Sequence, residues 1–124
     1  MNMVDASGWI EFFLAGPNGP QFKPIIENQA HLLVTSINLY EVHRVLSRKL
    51  PKDLRDTCLN LMRRVPIIHF DDAMAIAAAE LALKHQLAIA DAAMYAMAIA
   101  QQATLWTQDA DYQGLQGVAY VPKP

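Results

Sequence analysis

The chain has 124 residues, of which 53% are apolar and 18% charged, and its formal net charge is -2. This composition is typical of a folded protein and excludes disordered, collagen-like and low-complexity chains. The length predicts one domain over residues 1–124. The single cysteine, Cys58, excludes an internal disulfide and a thiolate metal site, which favours a reducing, cytoplasmic setting.

Two further observations limit the setting. The N-terminal residues include Asp5 and Glu11 rather than the basic start of a secretory signal, so we expect no export by that route. The longest run without a polar residue covers 92–100, far less than the roughly 18 apolar residues of a membrane span. We therefore expect a soluble protein with no membrane partner.

In chain order, short apolar runs alternate with helical patterns. Strands are predicted over residues 1–4, 31–35, 65–70, 104–107 and 118–121. Helices are predicted over residues 8–14, 24–29, 36–49, 53–64, 72–85 and 91–102, with Ser7 capping the first of them. This alternation predicts a three-layer α/β/α fold around a short, mainly parallel central sheet.

Carboxylates follow several of these strands. Asp5 comes directly after the first strand, and Asp109 and Asp111 come after the strand over residues 104–107. Glu41 lies about one and a half turns into the helix after the second strand, and Asp91 opens a helix. Functional groups in such folds gather beyond the carboxyl ends of the strands, so we expect these acids to converge. Carboxylates without His or Cys suit hard cations such as Mg²⁺ or Mn²⁺.

Each acid also has a structural interpretation. Asp91 can cap its helix, Asp5 can be a turn residue, and Glu41 can pair with Arg44 three residues later. Apolar neighbours flank Glu41, however, and a carboxylate in such surroundings needs a partner.

Four segments together resemble one family. The patterns V-D-A-S at residues 4–7, N-L-Y-E-V at 38–42, I-A-D-A-A-M-Y-A at 89–96 and T-L-W-T-Q-D-A-D-Y at 104–112 resemble, in order and spacing, the PIN-domain ribonucleases, specifically VapC-type toxins of toxin–antitoxin pairs. The resemblance implies that Asp5, Glu41, Asp91 and Asp109 form the catalytic and metal-binding quartet. Asp111 would be a further metal ligand, with Ser7 and Thr107 supporting the site.

Basic residues are concentrated in one region. Seven of the ten Lys and Arg residues lie between positions 44 and 64. They form either a solvated helical pair or a rim that follows RNA phosphates. Within this region we select four candidate RNA-binding residues: Arg44, Arg48, Lys49 and Lys52.

The helix over residues 8–14 has apolar side chains on two faces and so needs cover beyond its own sheet. Trp9 and Phe12 are the candidate contacts, and the resemblance implies that a small antitoxin covers them. The resulting hypothesis is a Mg²⁺- or Mn²⁺-dependent endoribonuclease toxin, with RNA as substrate and a homodimeric state. The alternatives are a phospho-receiver domain and a catalytically inactive PIN-like interaction module.

Overall fold

The computed structural model describes all 124 residues. Its five strands are β1 (Asn2–Val4), β2 (Leu32–Thr35), β3 (Ile67–Ile68), β4 (Thr104–Thr107) and β5 (Val118–Tyr120). Its six α-helices are α1 (Ala6–Phe13), α2 (Gly19–Glu27), α3 (Ser36–Lys49), α4 (Lys52–Met62), α5 (Asp72–His85) and α6 (Ile89–Ala100). Two 3₁₀ turns cover Gln29–His31 and Ala110–Tyr112.

The sheet has the order β3-β2-β1-β4-β5, and every pairing is parallel. β1 is the central strand, where Met3 lies opposite Leu33 on one side and Leu105 on the other. All strands therefore point their carboxyl ends at one edge, as a sheet built from strand–helix–strand crossovers requires.

The short strands are buried on both faces. Along β1, Met3 packs in a core with Leu105 and the α6 residue Met97, whereas Val4 packs in a second core with the α3 residue Val42. Successive side chains of a strand point to opposite faces, so these two cores lie on either side of the sheet. Helices α5 and α6 cover one face and α1 to α4 contribute to the other, which confirms the three-layer α/β/α prediction.

Several predicted boundaries were wrong. The first helix begins at Ala6 with Asp5 as its N-cap, not after Ser7. Helix α2 begins at Gly19 rather than Pro24, because Pro20 occupies its first turn, where a missing N–H costs nothing. The third strand is two residues long instead of six.

No single helix is long and apolar enough to cross a membrane; α5 and α6 together meet the length and composition criteria but are bent by 113° relative to each other.

Candidate active site

The acidic site lies where β1 and β4 end. In the parallel register Val4 faces Trp106, and the Asp5 N–H donates to the Trp106 carbonyl at 3.0 Å. Asp5 follows β1 immediately, and Asp109 follows β4 after one intervening residue. Pairing of these two strands therefore brings the two acids to the same edge of the sheet.

Asp5 is almost fully enclosed, with 5% of its surface exposed. Its Oδ1 accepts hydrogen bonds from Ser7 Oγ at 2.6 Å and from the Gly8 N–H at 3.3 Å, so the carboxylate caps α1. Burial raises the pKa of Asp5 to about 7, despite these hydrogen bonds, and the charge of Asp109 acts in the same direction. Asp5 is thus held rigidly at a point where its charge is costly.

Ser7 and Thr107 connect Asp5 to the loop that carries Asp109. Ser7 Oγ lies 3.4 Å from Thr107 Oγ1 and accepts from the Gln108 N–H at 3.3 Å. Thr107 Oγ1 accepts from the Asp109 N–H at 2.9 Å. The two hydroxyls thereby tie the start of α1 to the end of β4.

Three carboxylates come together beside Asp5. Asp91, Asp109 and Asp111 each offer an oxygen, and these oxygens lie within 4.8 Å of one another. Asp91 stands in the first turn of α6, and Asp109 caps the second 3₁₀ turn by accepting from the Asp111 N–H at 2.9 Å. Burial, followed by the charge of Asp109, raises the pKa of Asp91.

Glu41 approaches the site from α3. Burial raises its pKa, the charges of Asp91 and Asp109 raise it further, and Arg44 lowers it. Glu41 and Asp5 lie outside the group of three but within electrostatic range of it. None of the five acids takes part in a salt bridge, because the two salt bridges of the molecule are Lys23–Glu27 and Lys52–Asp56.

This donor set fits a hard divalent cation. It consists of carboxylate oxygens from separate segments, contains no sulfur or imidazole, and leaves its negative charge without salt bridges. Clustered carboxylates repel one another, and a bound cation removes that repulsion.

Sequence reasoning missed three buried polar residues around the acids. The Tyr112 hydroxyl donates to the Asp91 backbone carbonyl at 3.1 Å and to its Oδ1 at 3.2 Å. Asn38 forms a capping box with Thr35 and donates to the Val4 carbonyl at 3.1 Å. Asn18 donates to Gln108 Oε1 at 3.0 Å, beside the loop of Asp109.

The signals for these residues were faint. An Asn three residues after a Thr at a helix start is a capping pattern that the sequence does show. The partners of Tyr112 and Asn18 lie in distant segments, so no local pattern indicates them.

The candidate RNA-binding residues lie on α3 and around the start of α4. Arg44, Arg48 and Lys49 are exposed and take part in no salt bridge. Lys52 donates to Asp56 Oδ2 at 2.7 Å. The first three cations are therefore available to an external anion, and Lys52 is less so.

The prediction that Trp9 contacts a partner was wrong. Trp9 is 1% exposed and packs in the core with Phe22 and Ile26 of α2. Helix α2 starts earlier than expected and supplies the cover that α1 needs. Phe12 is partly buried and stays a candidate contact.

The family follows from a comparison of the whole chain. The sequence matches the PIN domain over residues 3–117. The chain belongs to the PIN-domain family. The resemblance read from its four motifs is thereby confirmed. A comparison with curated proteins gave no match.

Solved structures share the PIN fold of this chain. A toxin–antitoxin complex from Klebsiella pneumoniae has 19% identity and a TM-score of 0.79, with 96% of each chain covered. VapC20 of Mycobacterium tuberculosis, a toxin that cleaves the sarcin-ricin loop, has 17% identity and a TM-score of 0.78, with 99% of this chain and 100% of that chain covered. VapBC2 of Rickettsia felis, bound to a DNA fragment from its promoter, has 18% identity and a TM-score of 0.74, with 98% of this chain and 97% of that chain covered.

At these identities the likeness establishes the fold. The strand order β3-β2-β1-β4-β5 also differs from the order 2-1-3-4-5 of receiver domains. The receiver alternative is therefore wrong.

Proposed function

We propose that this PIN domain is a metal-dependent endoribonuclease and the toxin of a toxin–antitoxin pair. The observation that carries the proposal is the convergence of Asp91, Asp109 and Asp111, with Asp5 and Glu41 beside them, at the carboxyl edge of the sheet. In a PIN-family chain, such a group of acids is best explained by catalysis, because the caps that Asp5 and Asp109 provide do not require Glu41, Asp91 and Asp111 to lie beside them.

Asp91, Asp109 and Asp111 would hold Mg²⁺ or Mn²⁺. Asp5 and Glu41 would join Asp91 and Asp109 in the catalytic and metal-binding quartet. Such a cation polarises a phosphoryl oxygen and activates water for hydrolysis of the phosphodiester bond. The chain's own residues hold this geometry: Ser7 and Thr107 fix the Asp5 and Asp109 segments, and Tyr112 fixes Asp91.

RNA would reach the acids along α3. Arg44 lies close enough to Glu41 to lower its pKa, and Arg48 and Lys49 continue the same helix. These cations offset the negative field of the acids and attract phosphates. Lys52 would join these cations where an RNA phosphate replaces Asp56 as its partner. RNA as substrate implies action in the cytoplasm.

The partners of the similar structures suggest partners for this chain. A small antitoxin is proposed because the Klebsiella and Rickettsia structures are toxin–antitoxin complexes. A homodimer is proposed on a separate observation, namely that apolar side chains of α5 and α6 stay exposed, including Leu83 and Ile89 at 85% each. Association of two copies would cover these side chains.

The experiment is cleavage of a labelled RNA pool by purified protein. We expect cleavage with Mg²⁺ or Mn²⁺, none with excess EDTA, and a loss of at least about 100-fold in Asp91→Asn and Asp109→Asn, because each removes a ligand charge. Asp72→Asn, which changes an exposed acid at the start of α5, is the matched control and should retain full activity.

Undiminished cleavage in EDTA would contradict the metal mechanism. RNA binding without cleavage at any metal concentration would instead favour the inactive PIN-like module.

A further inference from the structure

Tyr40 is an exposed aromatic residue of α3, the helix that also carries Glu41. Seven large apolar or aromatic side chains are well exposed, and Tyr40, at 64%, is the one aromatic ring among them. No hydrogen bond occupies its hydroxyl in the folded chain. A ring in this position is free to contact another molecule.

Tyr40 lines a groove between α3 and α4. This α3–α4 groove is formed by Leu39, Tyr40, His43, Leu59 and Arg63 and has a volume of about 410 Å³. Three of its five lining residues are apolar or aromatic, and the lining includes the cation of Arg63 and no carboxylate. The groove therefore suits a flat, apolar group attached to a negative charge.

The groove and Glu41 share helix α3. Tyr40 directly precedes Glu41, so the two side chains leave the helix about 100° apart. Arg44 follows Tyr40 by one turn and also acts on the charge of Glu41. Arg44 thus lies near Glu41 and about one turn from Tyr40 on the same helix.

Charge decides what class of molecule fits. Arg44 and Arg63 take part in no salt bridge, and residues 44–64 contain seven basic residues against two acids, Asp53 and Asp56. Nucleotides combine an aromatic base with an anionic phosphate. Stacking of bases on aromatic side chains beside a cationic path is the usual way that proteins bind single-stranded nucleic acid.

We propose that the α3–α4 groove binds one unpaired base of single-stranded RNA, stacked on Tyr40, with Arg63 and Arg44 contacting the adjoining phosphates. This inference rests on the proposed ribonuclease function and names the form of its substrate. Bases inside a duplex are already stacked, so the groove favours unpaired RNA over paired RNA.

The test measures binding of a fluorescent single-stranded 12-mer RNA and of the same sequence as a duplex. Both are measured in an Asp91→Asn background, which is not expected to cleave. Tyr40→Ala should weaken single-strand binding about tenfold, Tyr40→Phe should retain it, and duplex binding should change less than twofold. Leu54→Ala, at another exposed apolar residue of α4, is the matched control and should bind like its parent.

Two further measurements distinguish base stacking on Tyr40 from a general loss of RNA binding. With Asp91 restored, Tyr40→Ala should raise the KM for single-stranded RNA and leave kcat within about twofold. Arg63→Gln should lower the salt dependence of binding by about one phosphate contact. Thermal melting checks that Tyr40→Ala is folded, which its exposure leads us to expect.

Equal RNA affinity in Tyr40→Ala and Tyr40→Phe, or an equal loss on duplex, would overturn the stacking inference. Loss of binding to a protein partner with unchanged RNA affinity would do the same and would assign the groove to that partner. Cleavage of RNA by the wild-type chain tests the proposed function separately, since the chemical step would use the acids and not Tyr40.

Discussion

At the scale of single residues, the hydroxyl of Tyr112 is the group whose removal best tests the site. It donates to Asp91 Oδ1, and it stays protonated because burial and the charges of Asp5 and Asp91 raise its pKa well above the usual value. Groups that orient a metal ligand typically affect metal affinity 10- to 100-fold. We expect Tyr112→Phe to weaken Mn²⁺ binding about tenfold in titration calorimetry.

Tyr95→Phe is the matched control for that variant. The Tyr95 hydroxyl donates to the Gln116 carbonyl at 2.7 Å, a bond of similar kind that touches none of the five acids. Loss of this hydrogen bond in Tyr95→Phe should lower the melting temperature and leave the affinity for Mn²⁺ unchanged. Equal Mn²⁺ affinity in Tyr112→Phe and the wild type would show that Tyr112 only supports the fold.

The positions of the acids could be predicted from the sequence to a useful degree. Asp5 and Asp109 follow two apolar runs, and parallel strands place such residues at one edge. Burial of Trp9 could not be predicted, because it depends on α2. Pro20 was interpreted as part of a loop, so the predicted helix began at Pro24 rather than at Gly19. The contacts of Tyr112 and Asn18 join segments far apart in the chain and leave no local pattern.

At the scale of elements, Asp5 has two opposite effects on the stability of the folded chain. Its carboxylate caps the helix, yet burial raises its pKa to about 7 from an ordinary value of 3.8. An acid with a raised pKa in the folded state destabilises that state as pH rises from its unfolded to its folded value. Ionisation of Asp5 should therefore lower the free energy of unfolding progressively as the pH rises from about 4 to about 7.

Asp5→Asn removes this loss, because the amide oxygen keeps the cap and carries no charge. In metal-free buffer, we expect its gain in unfolding free energy over the wild type to be about 2 kcal/mol larger at pH 8 than at pH 5. Urea denaturation at both pH values measures the difference. Asp5→Ala should show the same pH dependence but lie about 1 kcal/mol lower throughout, because it loses the cap. A pH-independent difference between Asp5→Asn and the wild type would mean that Asp5 is charged without cost.

Periodicity was sufficient to predict whether a segment forms a helix or a strand. Helix α3 and strand β4 show this, because both match their predicted ranges. The ends of other elements depend on contacts that the sequence does not display. β3 is short because only Ile67 and Ile68 pair with β2, opposite Val34 and Thr35. The apolar run around them extends further than the pairing.

At the scale of the whole molecule, we expect the clustered acids to lower the stability of the metal-free protein. In EDTA, Asp91→Asn and Asp109→Asn should each melt a few degrees higher than the wild type, because each relieves repulsion among the carboxylates. Mn²⁺ should stabilise the wild type more than either variant, since only the complete site binds it well. Differential scanning calorimetry with and without Mn²⁺ measures both effects.

Asp72→Asn again provides the comparison. Asp72 lies in the first turn of α5, where a negative charge favours the helix, so its replacement should lower the melting temperature slightly. If Asp91→Asn and Asp109→Asn behaved like Asp72→Asn in EDTA, and Mn²⁺ stabilised none of the proteins, the acids would be structural.

The parallel pairing of β1 with β4 joins two strands that lie far apart in the sequence. Asn2 pairs with Thr104, so Asp5 and Asp109 meet only after about a hundred intervening residues have been synthesised. A ribosome-bound or truncated chain that ends before β4 has Asp5, Glu41 and Asp91 but lacks Asp109 and Asp111. The proposed nuclease activity therefore cannot arise until β4 has been synthesised and has paired with β1.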